Sequence, residues 1–294
     1  MLLERVGTPR TVSLADRRSH STLEGPNLTS ATLNNMVSQN YVSTELTHFV
    51  GRGLKTAEEQ FTLLLEILRT GWLRPSYRGE FGVGTMMRTD PKKPLTSNEC
   101  VRAAALCFCD IPFNDLAIHM TKYSAFGLAF SNRFMLAQGA SPVFYVAKNA
   151  AAPYSPGIGP RTLGEKFQLL RDDLASICAR MNEYAYRNAP EATSALRFTY
   201  RLSPPGTPDE LQILGKLNAF ASDLDQMVFA HLKSFDGLLP EDHVDNFYME
   251  REWRKMSGLA FRLENVRRII IPVDFEPRLR REFSQYTGLI NKAA

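Results

Sequence analysis

The sequence predicts a mixed α/β protein of the α+β class, in which a mixed β-sheet core carries a helical insertion. Two kinds of periodicity lead to this prediction. Short apolar runs with a strand-like period of two occur in both outer parts of the folded region, whereas residues 160–237 repeat apolar side chains every three or four positions. The first pattern is typical of half-buried strands and the second of amphipathic helices, so we expect helices packed on a sheet.

Length and composition fit one enlarged domain. The chain has 294 residues, of which 44% are hydrophobic and 22% are charged, which is enough apolar side chain for a sizeable core. Residues 1–40 are rich in Ser, Thr, Asn and Arg and show no sustained period, so we predict a polar N-terminal extension there. The α/β domain is predicted to span residues 41–294.

Charge and motifs exclude several classes of protein. The formal net charge of +4 permits an acidic partner, but no run of five like charges indicates a nucleic-acid-binding tail. No segment approaches the roughly 20 apolar residues of a membrane span, and Glu4 and Arg5 interrupt any signal-peptide core. The chain lacks a Gly-x-Ser-x-Gly elbow and a P-loop lysine. We therefore predict a cytoplasmic protein without a membrane partner that is neither a serine hydrolase nor an NTPase.

The early part of the domain predicts a strand followed by a helix. The strand covers residues 42–50, and Thr56 then begins a helix, because Glu59 three residues later completes a capping box. Gly71 ends this helix. Its apolar stripe is formed by Phe61, Leu64, Leu65 and Leu68.

Further elements follow from the same patterns. Additional strands are predicted at Ala103–Ile111, Ala125–Phe130, Pro142–Ala147, Asn246–Lys255 and Arg267–Val273, and a short helix from about Asn114 to Lys122. A long helix contains Phe167 and Tyr184. A second helix begins near Thr207 and Pro208 and continues through Leu232.

The late strand carries two carboxylates close together. If residues 246–255 are extended, Glu250 and Glu252 point to the same face, together with Tyr248. Like charges side by side repel, so such a pair often has a chemical task or a cationic partner. The alternative is a solvated edge strand in which both glutamates face water and pair with nearby arginines.

A second group of polar residues follows the strand at Ala103–Ile111. Asp110 lies at a strand end, where ligands commonly bind in α/β proteins, and His119 follows on the short helix. Asp110, His119 and His48 lack the i, i+4 spacing of a helical zinc motif, so we predict no metal. His119 is alternatively a hydrogen-bonding link between helix and sheet. Cys107 and Cys109 are predicted to be buried free thiols.

Residues 41–275 resemble the AbiGi family of bacterial abortive phage-resistance proteins, which is usually labelled an antitoxin. The segments that carry the resemblance are Leu46–Arg52, Cys107–Phe113 with His119, Tyr123–Phe130, Pro142–Val146 and Glu250–Arg254. The resemblance implies a cognate toxin or antitoxin protein as partner.

The same chain resembles, more weakly, the ADP-ribosyltransferase fold and its DarT-like branch, which modifies nucleic acid. His48 matches the residue of the first strand, Ile67–Trp72 the helix end and Glu250-x-Glu252 the late catalytic strand, although Trp72 replaces the usual leucine. This resemblance implies a split mixed β-sheet and NAD as the substrate that donates ADP-ribose. Arg52, Tyr123, Asp110 and His119 are the further candidate contacts to NAD.

The ADP-ribosyltransferase resemblance also implies roles for the matching residues. Cleavage of the nicotinamide–ribose bond creates positive charge at the ribose, much as glycoside cleavage does, and Glu252 would stabilise it. Glu250 would orient or deprotonate the acceptor, which could be nucleic acid, and His48 would hold the ribose. The alternative function is a non-catalytic antitoxin or phage sensor that binds a partner protein or nucleic acid.

Overall fold

The computed structural model describes residues 43–75, 87–90, 92–152, 161–188, 209–240, 243 and 246–293. The predicted extension at residues 1–40 and the predicted helix start at Thr207 and Pro208 lie outside these ranges. Within them the chain forms thirteen strands and six α-helices, so the fold is mixed α+β. Every helix in the described ranges is too short or too polar to span a lipid bilayer.

The strands are β1 (Glu45–Phe49), β2 (Trp72–Leu73), β3 (Met87–Thr89), β4 (Val101–Ala103), β5 (Ala105–Cys109), β6 (Gly127–Ser131), β7 (Ser141–Pro142), β8 (Phe144–Ala147), β9 (Leu232–Phe235), β10 (Glu252–Met256), β11 (Leu259–Ala260), β12 (Val266–Pro272) and β13 (Leu289–Ala293). The helices are α1 (Ala57–Thr70), α2 (Ala117–Lys122), α3 (Asn132–Ala137), α4 (Leu163–Asn188), α5 (Asp209–Met227) and α6 (Glu276–Glu282).

Seven strands form one mixed sheet in the order β13-β12-β6-β1-β5-β10-β7. Its neighbours run antiparallel except β12 and β13, which run parallel. Smaller two-stranded sheets pair β2 with β11, β3 with β4 and β8 with β9. The sheet is therefore assembled from both outer parts of the domain, because β1, β5 and β6 precede the long helices and β10, β12 and β13 follow them.

Helix α1 has the ends that its sequence predicts. The Thr56 hydroxyl accepts a hydrogen bond from the Glu59 N–H, and the Glu59 carboxylate accepts one from the Thr56 N–H. Gly71 terminates the helix in the left-handed conformation with φ of 61°. The predicted stripe of four apolar residues is buried, and Phe61 packs against Phe126 of the sheet layer and Phe275.

Two hydrophobic clusters organise the rest of the interior. The larger one lies between α1, the central strands and α6, and includes the fully buried Leu128 and Ile269. The smaller one packs β8 and β9 beside α4 and α5, through Val146, Phe229 and Leu232 among others. The long helices thus pack on a hydrophobic cluster that is separate from the one at the main sheet.

The structure corrects four element predictions. The strands predicted at Ala103–Ile111 and Pro142–Ala147 are each divided in two, into β4 and β5 and into β7 and β8, which belong to different sheets. Residues 246–251 are not a strand: Phe247–Glu250 form a 3₁₀ turn because the Asn246 side chain accepts a hydrogen bond from the Tyr248 N–H. The strand begins only at Glu252, after Arg251 in the left-handed conformation. The second long helix ends at Met227, so Leu232 belongs to β9 and not to a helix.

Candidate functional site

Three neighbouring strands bring distant parts of the chain together at the centre of the sheet. Thr47 of β1 pairs with Cys109 of β5, and the same Cys109 pairs with Glu252 of β10. Adjacent strands lie about 4.8 Å apart, so β1 and β10 are separated by only one strand. Residues about two hundred positions apart in the chain therefore meet on one face of the sheet.

A cavity of about 670 Å³ opens over this part of the sheet, which is a volume typical of ligand-binding pockets. Six of the seven residues predicted from the sequence line it: His48, Arg52, His119, Tyr123, Glu250 and Glu252. Asp110 does not. Its carboxylate accepts a hydrogen bond from the Ser43 N–H at 3.0 Å and lies 3.6 Å from the Arg251 guanidinium, so Asp110 anchors backbone segments, and its contact with NAD stays a prediction.

Lys233 bridges the two glutamates at the polar end of the cavity. Its Nζ donates to Glu250 Oε2 at 2.6 Å and to Glu252 Oε2 at 2.5 Å. All three side chains are buried, with Glu250 6% and Glu252 4% exposed. The ammonium group therefore neutralises part of the repulsion that the sequence predicted for this pair of carboxylates.

Other groups complete the partners of each carboxylate. Arg254 donates from Nε to Glu252 Oε1 at 2.6 Å, so both oxygens of Glu252 are paired. Glu250 Oε1 accepts from Lys122 Nζ at 2.8 Å and from the Tyr123 hydroxyl. The predicted alternative of two glutamates in water is wrong, because the pair is buried among cations.

Local backbone geometry explains why both glutamates reach one lysine. The 3₁₀ turn carries Glu250, and Arg251 with φ of 43° redirects the chain before β10 begins with Glu252. The Glu252 backbone is fixed on both sides, since its N–H donates to the Tyr145 hydroxyl at 2.6 Å and its carbonyl accepts from the Val143 N–H at 3.0 Å. Tyr145 pairs with Lys233 across β8 and β9, so one small sheet positions two of the partners of Glu252.

The charges of the network are mutually stabilised. Burial alone would raise the pKa of Glu252, but the neighbouring Arg254 and Lys233 outweigh burial and lower that pKa to about 2. The pKa of Glu250 is likewise lowered, because Lys233, Lys122 and Tyr123 outweigh its burial. Burial would lower the pKa of Lys233, but the two carboxylates raise it. Both glutamates are thus ionised and the lysine is protonated at neutral pH.

His48 is held as a neutral imidazole. Its Nδ1 lies 2.7 Å from the Cys107 carbonyl oxygen, and since a carbonyl can only accept, Nδ1 carries the hydrogen. Burial lowers the pKa of His48, despite this hydrogen bond, which favours the charged form. The remaining nitrogen, Nε2, is consequently an acceptor and suits a hydroxyl donor such as a sugar.

Helix α2 and the loop after β1 form the wall around Tyr123. Tyr123 caps α2, and the Arg52 guanidinium lies 4.8 Å from the centre of its ring. Burial and the Glu250 charge raise the pKa of the Tyr123 hydroxyl, so it stays a donor. His119 is buried beside it, and burial lowers its pKa. Its Nδ1 has no hydrogen-bond partner among the described residues, so the predicted link from helix to sheet is not made through that atom.

The cysteines of β5 also face the cavity. Cys109 is buried, but Cys107 is exposed within the cavity, so the prediction of two buried thiols is wrong for Cys107. Although Cys107 is exposed to the cavity, the protein around it partly desolvates the thiol. This desolvation and the negative charge of Glu252 raise the pKa of Cys107 to about 12. Within the described ranges no group of three or more His, Cys, Asp or Glu side chains is arranged to hold a metal ion.

The cavity carries an excess of positive charge. Its described lining contains the cations Arg52, Arg74, Lys233 and Arg254 and the carboxylates Glu66, Glu250 and Glu252. Lys122 adds a further cation through its contact with Glu250. Cavity walls of low dielectric strengthen such an excess, which favours a ligand that is anionic in part.

The sequence prediction missed Lys233, the central residue of the network. It lies within the region predicted as a helical insertion, so its strand was not recognised. The signal that could have revealed it is the short run Leu232–Phe235, in which Lys233 and Ser234 stand between two apolar residues. A lysine buried in a strand requires an anionic partner, but Asp223-x-Asp225 and Glu241-Asp242 lie closer along the chain than Glu250-x-Glu252, so the sequence alone does not identify the partner.

Residues 86–287 match the family model described as "Putative abortive phage resistance protein AbiGi, antitoxin". This match covers more than two thirds of the chain and includes Lys122, Tyr123, Lys233 and both glutamates, whereas β1 and α1 precede it. No curated protein matches the chain, and no solved structure does.

Proposed function

The chain belongs to the AbiGi family of abortive phage-resistance proteins, and from this premise we propose that it transfers ADP-ribose from NAD to a macromolecular acceptor. The family description assigns antiviral defence and an antitoxin-related role, which makes a cognate toxin its expected partner. One observation supports the transferase proposal most: His48, Glu250 and Glu252, predicted from distant segments, line a single cavity of ligand-binding size.

The proposed chemistry uses the residues in distinct roles. The bond between nicotinamide and ribose C1′ breaks with its electron pair leaving on the nicotinamide nitrogen, and positive charge develops on the ribose. Glu252, which is ionised at neutral pH, stabilises that charge. The neutral His48 accepts a hydrogen bond from a ribose hydroxyl. The acceptor oxygen or nitrogen then attacks C1′, and its proton passes to Glu250.

The ion-pair network imposes a condition on this mechanism. Both oxygens of Glu252 are occupied, by Lys233 and by Arg254. A ribose hydroxyl that contacts Glu252 therefore either uses the second lone pair of one of these oxygens or replaces one of the cations. In the second case a phosphate of NAD near the same cations supplies the compensating charge, because Lys233 and Arg254 can pair with phosphate as well as with carboxylate.

The same pairing favours a second candidate function, a non-catalytic antitoxin or phage sensor. A fully satisfied buried network also serves to fix one unique arrangement of the fold. In that case the glutamates hold Lys233 and shape the cavity, and the chain acts by binding a toxin protein or nucleic acid. The two functions differ in whether NAD is consumed.

The test is an NAD-consumption assay on the purified full-length chain, with nucleic acid and a host lysate offered as acceptors. We expect wild type to release nicotinamide and Glu252→Gln to reduce the rate by at least about a hundredfold, as for loss of one electrostatic transition-state contact. Glu66→Gln is the matched control, because Glu66 lines the cavity but is exposed and lies outside the ion-pair network. An absence of both turnover and NAD binding in wild type would eliminate the transferase and leave the antitoxin function.

A further inference from the structure

The short strand β2 and the residue that follows it present two side chains to the cavity that the proposed reaction does not use. Trp72 is 38% exposed, Leu73 is 1% exposed and Arg74 is again exposed. This alternation places Trp72 and Arg74 on the same side of the strand, since side chains alternate between faces. Both residues line the cavity.

The chain leaves space for the indole at this position. Trp72 pairs with Ala260 across β2 and β11, and Gly258 lies directly before β11. A Cβ atom at Gly258 would come within 2.7 Å of the indole Cζ2 and 2.9 Å of the Leu73 carbonyl oxygen, so no other residue fits there without a shift. The Gly258 backbone therefore packs against one part of the indole, while more than a third of Trp72 stays exposed.

Two arginines at the cavity have no carboxylate partner within the described part of the chain. Arg52 lies over the Tyr123 ring, and Arg74 follows Trp72 by two residues. The ion pairs of the described residues involve neither of them. An exposed indole and two guanidinium groups that line one cavity, without a carboxylate partner among the described residues, are a combination that suits a planar ring with an attached anion.

We propose that Trp72, Arg74 and Arg52 form a nucleotide subsite, in which the base stacks on the indole and the phosphates bind the two guanidinium groups. A nucleotide joins a planar aromatic ring to phosphate groups in one small ligand, and base–aromatic stacking tolerates any base. The subsite extends the proposed function, because it would hold the adenosine diphosphate part of NAD while the glutamates face the nicotinamide ribose.

The two tryptophans of the chain permit a direct test with ADP as the probe. Trp253 packs against the large hydrophobic cluster and does not line the cavity. Trp253→Phe therefore leaves Trp72 as the sole tryptophan, and we expect ADP to quench its fluorescence in a saturable way. In Trp72→Leu the remaining Trp253 signal should be insensitive to ADP.

Calorimetric titration of full-length variants with ADP measures the contributions of Trp72 and Arg74 to ADP affinity separately. We expect Trp72→Leu to weaken ADP binding by about tenfold or more, which is the usual effect of losing one base–aromatic stack. Arg74→Gln should weaken it as well, with partial retention in Arg74→Lys. The matched control is Arg267→Gln, because Arg267 is exposed on β12 away from the cavity. Circular dichroism and thermal melting establish that each variant folds.

The outcomes of these experiments distinguish the nucleotide subsite from the proposed transferase activity. Unchanged ADP affinity in folded Trp72→Leu and Arg74→Gln, or no ADP binding by wild type, would overturn the subsite even if NAD is consumed. ADP binding that depends on both residues, without NAD consumption, would support the subsite and count against the transferase. Quenching by a single-stranded oligonucleotide but by no mononucleotide would overturn the assignment to a small nucleotide.

Discussion

The ammonium group of Lys233 lies between two buried carboxylates, and a buried carboxylate without a partner is costly to keep ionised. Arg254 also pairs with Glu252, and Lys122 with Glu250, but among the described residues only Lys233 forms ion pairs with both glutamates. Replacing the ammonium group would leave Oε2 of each glutamate without its cation. The geometry of the cavity floor therefore depends on one residue of a four-residue strand.

We predict that Lys233→Met lowers the free energy of unfolding at pH 7 by about 3–5 kcal/mol, which is typical of breaking a buried ion pair by removing one partner. Urea unfolding followed by circular dichroism measures the change. Lys148→Met is the control, since Lys148 is more exposed and its contact with Asp236 spans 3.7 Å. We expect that control to change stability by less than about 1 kcal/mol. Equal effects of the two substitutions would contradict the role assigned to Lys233.

The pH dependence of unfolding supplies an independent prediction. The folded-state pKa of Glu252 is about 2, below its ordinary value of 4.5, so its contribution is full above pH 4.5 and is lost as the pH falls towards 2. In Lys233→Met the balance shifts towards burial, which raises the pKa of both glutamates. Wild type should therefore lose stability on acidification from pH 5 to 3, while the variant loses less over the same range. A parallel decline of the two proteins would show that Lys233 does not set these pKa values.

At the scale of elements, the sequence predicted correctly those features that are stabilised by contacts between residues close along the chain. Thr56, Glu59 and Gly71 predicted the two ends of α1 because capping involves residues within one turn. The strand predicted over residues 246–255 was wrong in its first half, because alternation of residue types does not reveal the Asn246 cap or the left-handed Arg251. Both glutamates nevertheless reach the cavity, although only one of them lies in a strand.

Gly71 gives a prediction at this scale. Its φ is 61°, and a Cβ atom there would lie 2.4 Å from the Phe261 carbonyl oxygen. Gly71→Ala should therefore cost at least about 2 kcal/mol, because steric overlap adds to the usual 1–2 kcal/mol of left-handed strain. Thermal unfolding measures the loss.

Gly139→Ala is the matched control for Gly71→Ala. Gly139 also has a positive φ, of 80°, but a Cβ atom there would meet nothing within 4 Å. The control variant should show the backbone strain alone and be clearly more stable than Gly71→Ala. Equal melting temperatures would mean that the Phe261 carbonyl yields without cost and that β2 and β11 are not fixed by the end of α1.

At the scale of the whole molecule, only the resemblance to known families could predict which distant residues meet. The order β1-β5-β10 depends on pairings between strands far apart in the chain, and no local pattern encodes them. The same applies to β8 and β9, which are separated by both long helices and together hold Tyr145 and Lys233. A polar residue whose partners are supplied only by such pairings, as Lys233 is, leaves almost no trace in the sequence.

The effect of the chain on its host distinguishes a transferase from an antitoxin at this same scale. A transferase that consumes NAD should slow growth when expressed without its partner, and Glu252→Gln should restore growth because the developing charge on the ribose loses its counter-ion. Glu66→Gln should remain as harmful as wild type, since Glu66 is exposed and outside the network. Growth curves with matched expression levels, together with cellular NAD content, provide the measurement. If wild type is harmless, leaves NAD unchanged and protects cells from a co-expressed toxin, then the buried glutamates serve to hold Lys233 in place, and the cavity belongs to a binding protein.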